Sequence, residues 1–128
     1  MLALLSLKNA FLAGAVCATL CVLAPASSAA PAAYTYDMTP YETMAKESLK
    51  LVAAGDMNGA LKKARELEAK WDAEATDLRA ADPDLWNLID GQMDAAIAAL
   101  MTTDAKKATE ELNSYLEKAA RVPKPDKK

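Results

Sequence analysis

Asp90 and Asp94 stand one helical turn apart, with Trp86 a turn before them. Two carboxylates at that spacing could share Ca²⁺ or Mg²⁺, which take oxygen ligands. Glu68 and Asp72 pair likewise upstream, but Glu-to-Lys spacings such as Glu66 to Lys70 are those of a solvated helix face. Asp90 and Asp94 therefore rank only as weak metal candidates. Met38, Met44, Met57, Met93 and Met101 supply thioethers, which suit Cu(I). Met57 and Met93 fall on apolar seams, where Met is a common core filler, and the other three show no Met-x-x-Met spacing. Packing is the preferred reading, Met44 ranks as a weak metal candidate beside Asp90 and Asp94, and no cofactor is expected.

Nucleophile and base chemistry is poorly provided for. The chain has no histidine, and its two cysteines, Cys17 and Cys21, lie in an apolar N-terminal run. Ser48 and Ser114 sit in helical stretches without a recognisable activating partner. Gly55 and Gly59 belong to a helix start and form no phosphate loop. A hydrolase using paired carboxylates needs a cleft between two acids. The expectation is that the protein is not an enzyme.

The N-terminus reads as a secretory signal, residues 1–29. Lys8 precedes the fourteen-residue apolar run Phe11–Ala24, which leads to Pro25 and the small-residue stretch ASSAA. The run is short of the roughly 20 residues of a membrane span. Cleavage after Ala29 leaves 99 residues, with no cysteine for a disulfide or thiolate site. Removing Lys8 from 15 basic residues leaves 14 against 18 acidic ones, a net charge of −4. Nucleic-acid binders are more often basic, so that class recedes. The expected location is the periplasm or the secreted fraction, with no stable membrane span after cleavage.

The elements that must position these groups are helices. An extended leader, 30–38, precedes Thr39-Pro40-Tyr41-Glu42, which fits a capping box with Thr39 as N-cap. The first helix should run from Pro40 to about Ala54, with Gly55 as its left-handed stop. Asp56 then caps a long second helix, Met57 to about Ala81, and Asp82-Pro83 opens a third reaching Met101. Thr102, Thr103 and Asp104 form the next turn, with Thr103 or Asp104 as cap, and a fourth helix ends near Arg121 because Pro123 and Pro125 stop it. Residues 123–128 read as a disordered basic tail. Apolar residues recur at helical steps: Tyr41, Ala45, Leu49, Val52; Met57, Ala60, Ala64, Leu67, Trp71, Leu78; Trp86, Ile89, Met93, Ala96, Leu100, with Ile97 and Met101 alongside; and Ala105, Ala108, Leu112, Tyr115, Ala119, Val122. Glu74 interrupts the second seam, and Ala75 partly fills the gap.

A 48-residue shift superimposes Asp56 on Asp104 and Tyr41, Ala45, Leu49 and Val52 on Ile89, Met93, Ile97 and Leu100. Two similar amphipathic hairpins can bury their apolar faces only against each other. The predicted fold is all-α: an antiparallel up-down-up-down four-helix bundle spanning 39–122. Trp71, Trp86, Met93 and Tyr115 are then core plugs, or line a small apolar pocket between helices, with the core favoured because they lie on the seams.

GQMDAAIAALMTTDAKKATEELNSYL, residues 91–116, resembles the last hairpin of the small soluble periplasmic b-type cytochromes. Those are exported four-helix bundles that hold haem between a first-helix methionine and a last-helix histidine. The resemblance would place Met44, or Met38, as the methionine. No residue here matches the histidine, and Tyr115 on the last helix is a ligand of a different haem class. The chain is also similar to small exported helical proteins with a GD…A…W pattern, here Gly55, Asp56, Ala60 and Trp71, which implies a shape and no activity. The expected function is binding of a protein partner or a small apolar ligand. The alternative is a periplasmic cofactor or metal carrier of b-type cytochrome-like architecture.

Overall fold

The computed structural model describes residues 34–126. The signal expected at 1–29, the first residues of the expected leader and Lys127–Lys128 fall outside the described residues. Helix makes up 78% of what is described, without a strand, so the protein is all-α. The elements are α1 (Thr39–Ala53), α2 (Met57–Glu74), α3 (Thr76–Ala81), α4 (Pro83–Met101) and α5 (Ala105–Ala119). Each hairpin packs on itself, α1 on α2 and α4 on α5, while α1 also meets α5 and α2 meets α4. No described helix is long and apolar enough to cross a membrane.

The turns joining α1 to α2 and α4 to α5 share one design. Gly55, at φ 80°, closes a Schellman motif: its N–H donates to the Val52 carbonyl, and Asp56 N–H donates to Leu51. Asp56 then caps α2 by accepting from Gly59 N–H at 2.8 Å. Forty-eight residues on, Thr103 occupies the same left-handed region at φ 56°, and its N–H donates to Leu100. The Thr102 hydroxyl donates to the Ala99 carbonyl, and Asp104 caps α5 by accepting from Lys107 N–H at 3.0 Å. Asp82 caps α4 in the same way, through Leu85 N–H.

Two expected features differ. Thr39 is not the first cap. Its own N–H donates to the Asp37 carboxylate at 3.0 Å, and Met38 takes the N-cap position, so α1 starts one residue early. A charged acceptor displaces the hydroxyl from that role. The long second helix breaks at Ala75 into α2 and α3. The Tyr36 hydroxyl donates to the Glu74 carbonyl at 3.2 Å, drawing off the acceptor that would continue the helical ladder. The leader and tail are also tied down where described. Tyr36 N–H donates to the Pro123 carbonyl at 2.9 Å, Met38 is completely buried, and the Lys124 ammonium lies 3.2 Å from a Glu42 carboxylate oxygen.

The core holds most of the expected seam residues. Leu49 and Met57 are only half-buried against it, and two seam residues are exposed: Ala105 at the first position of α5, and Met101, 60% exposed at the end of α4. Both sit beside the turn joining α4 to α5. Met101 sulfur instead accepts from the Arg65 guanidinium at 3.4 Å. Ala75 is completely buried, and its small side chain lets the bent helix stay seated on the core.

Candidate functional site

Aromatic side chains gather at the end of the molecule where α1 and α4 begin and α2 ends. Trp71, completely buried, stacks on Trp86 with ring centroids 5.8 Å apart and meets Tyr41 edge-on at 5.5 Å. Tyr41 stacks on Tyr36 at 6.1 Å, and Tyr36 on Tyr34 at 6.5 Å, so the ladder runs from the core to the exposed leader. The Arg79 guanidinium closes the other end, 4.5 Å from the Trp86 ring centroid. Polar groups knit this end together. Tyr36 and Tyr41 hydroxyls lie 2.9 Å apart, and Lys70 reaches both carboxylate oxygens of Glu74 at 2.7 Å. Burial, and then the hydrogen bond with Tyr36, push the Tyr41 phenol well above its ordinary range.

These geometries make Trp71, Trp86, Met93 and Tyr115 interior residues, with exposures of 0%, 8%, 2% and 1%. The Trp71 indole N–H and the Tyr115 hydroxyl have no hydrogen-bond partner among the described residues. Burial raises the Tyr115 pKa, and the Glu42 carboxylate raises it further.

The carboxylates singled out in sequence do come together, from two helices. Burial raises Asp90 above the usual carboxylate range, and the charges of Asp94 and, across on α2, Asp72 raise it further. The Trp71 indole N–H pulls weakly the other way, facing the carboxylate without closing a hydrogen bond. No three His, Cys, Asp or Glu side chains are placed to hold a metal ion among the described residues. Met44 is half-buried against the core.

Sequence reasoning missed a polar bridge between α4 and α5. Gln92 is nearly buried and donates to the Glu111 carboxylate at 2.6 Å, while Lys118 donates to its amide oxygen. The signal was present, since Gln92 directly follows Gly91 at the edge of the α4 seam. Its partners lie two turns apart on another helix, which no local pattern reveals. Ser48 is a second case, completely buried, with its hydroxyl donating to the Ala60 carbonyl at 2.9 Å and so joining α1 to α2.

On the outer side of the same helix pair, a groove of about 210 Å³ is lined by Ala95, Ala98, Ala99, Thr102, Lys107 and Glu111. Its floor is alanine, and its polar groups sit on one wall. Comparison with protein-family models, curated proteins and solved structures finds no match.

Proposed function

We propose that this chain is an exported, non-enzymatic protein of the periplasm or secreted fraction that works by contact, binding a protein partner or a small apolar ligand. One observation carries the reading. The side chains with most chemical potential, Trp71, Trp86, Met93 and Tyr115, are spent on packing, while the outer face of α4 is left apolar around the alanine-floored groove. Export is supported by Lys8, the apolar run and the small residues before Ala30. An antiparallel up-down-up-down four-helix bundle of two hairpins is the arrangement we favour, with α2 and α3 as one bent second leg. The pairing of α1 with α2 and α5, and of α4 with α2 and α5, supports it. So do the two left-handed turns 48 residues apart, each followed by a capping aspartate.

The test uses protein purified from its native compartment. Intact mass should lack residues 1–29, the absorbance spectrum should be that of Tyr and Trp alone, and a photo-reactive residue placed at Ala98 should capture a discrete partner or ligand. A Soret band, or a stoichiometric metal by elemental analysis, would replace the contact reading with the carrier alternative. A mass retaining 1–29 would point to an anchored form.

A further inference from the structure

The outer face of α4 differs from that of every other helix. α1, α2 and α5 each carry both signs of charge on their exposed positions, whereas α4 has no basic residue and no charge of any kind after Asp94. Its outward line reads Asp84, Leu88, Gly91, Ala95, Ala98, Thr102, with steps of four, three, four, three and four. That is the period of a helix–helix seam, and it lies outside the core. Leu88 is one of few large apolar side chains left exposed, at 38%. A Cβ built at Gly91 would meet nothing within 4 Å, so the centre of the line is open to close approach.

Knob and hole lie on this one surface. Leu88 stands toward the start of α4, and the groove lined by Ala95, Ala98, Ala99 and Thr102 lies toward its end. The charges are arranged in the same sense. Asp84 lies one turn before Leu88 on the line, Lys107 lies on the groove wall, and neither takes part in an ion pair among the described residues. We infer that two copies of this chain associate through α4, antiparallel about a two-fold axis near Ala95. Leu88 of each copy enters the alanine-floored groove of the other, and Asp84 of each meets Lys107 of the other. The arrangement is isologous and closes as a dimer, because the knob and its hole are on the same face in reversed order. A parallel pairing would set Leu88 against Leu88 and leave both grooves empty.

The inference rests on the contact reading above and names its partner as a second copy. The surface on offer is essentially one helix pair, less than the roughly 1,600 Å² of a standard interface. An interface of that size belongs to the weak, transient class.

Sedimentation equilibrium of the full chain and its variants, over a concentration series, tests this. The parent should shift from one chain mass to two across the series, and Ala98→Arg should hold at one with an unchanged melting curve. Asp84→Lys and Lys107→Glu should each weaken the dimer about tenfold, and the two together should restore most of it, a pattern specific to antiparallel pairing. A parent that stays at one chain mass overturns the inference, as does a dimer indifferent to Ala98→Arg or a charge swap without rescue. If the chain is monomeric and the photo-reactive residue at Ala98 captures a different protein or an apolar ligand, the self-pairing fails and the contact reading stands. A Soret band in the native protein removes both.

Discussion

Replacing Trp71 with Ala should be the most damaging single change in the core. The residue is completely buried and contacts two aromatic neighbours, Tyr41 edge-on at 5.5 Å and Trp86 face-to-face at 5.8 Å. Emptying a large aromatic site costs about 3–5 kcal/mol, and each aromatic pair contributes about 0.5–1.5 kcal/mol beyond its area. Against a total stability of roughly 5–15 kcal/mol, this leaves a marginal fold. At about 4–8 °C per kcal/mol for a domain of this size, the Tm should fall by roughly 12–40 °C. Trp86→Ala should lie at the lower end, because Trp86 is slightly exposed and Arg79 covers one face of its ring. Trp71→Phe separates volume from polarity. It keeps a ring in place and removes an indole N–H that has no partner among the described residues, so about 1–2 kcal/mol is expected. Thermal and urea melts followed by far-UV circular dichroism measure all three. If Trp71→Ala and Trp86→Ala both leave the transition within about 3 °C of the parent, the packing of this end is wrong.

Thr103→Gly should stabilise the fold by about 1 kcal/mol in the same melts, because a β-branched residue at φ 56° is strained and Gly is not; a loss of stability would contradict that strain. Asp90→Asn should raise the Tm at pH 7. The folded-state pKa of Asp90 is raised above the ordinary 3.8, so its ionisation costs stability as pH climbs from that value through the raised one, and the advantage of Asn should fade below about pH 4. An advantage that is constant with pH would assign the effect to something other than this titration. Haem titrated into the folded protein should give no stoichiometric complex. A sharp Soret shift lost on changing Met44 or Tyr115 would instead support the carrier reading.

Much of the fold was legible because helix signals are local. Asp56 and Asp82 each cap the helix expected of them, the cap left between Thr103 and Asp104 falls to Asp104, Gly55 supplies the left-handed stop, and the three-four rhythm marks Ala108, Leu112, Tyr115 and Ala119 as buried. Each of these depends on neighbours within one or two turns, so composition and spacing determine them. The absence of histidine and the placement of both cysteines, Cys17 and Cys21, within the first 29 residues are likewise sequence facts. What only the tertiary structure decided involves partners far apart in the chain. The break at Ala75 accompanies a hydroxyl donated from Tyr36, thirty-eight positions from the carbonyl it meets. Gln92 is tolerable in the interior only because Glu111 and Lys118 arrive from α5. Asp72 joins Asp90 and Asp94 only when α2 packs on α4, and its charge adds to burial and to Asp94 in raising the Asp90 pKa. The line from Asp84 to Thr102 could be read from spacing alone. Whether it faced the core or the solvent depended on which side of α4 its neighbours occupied.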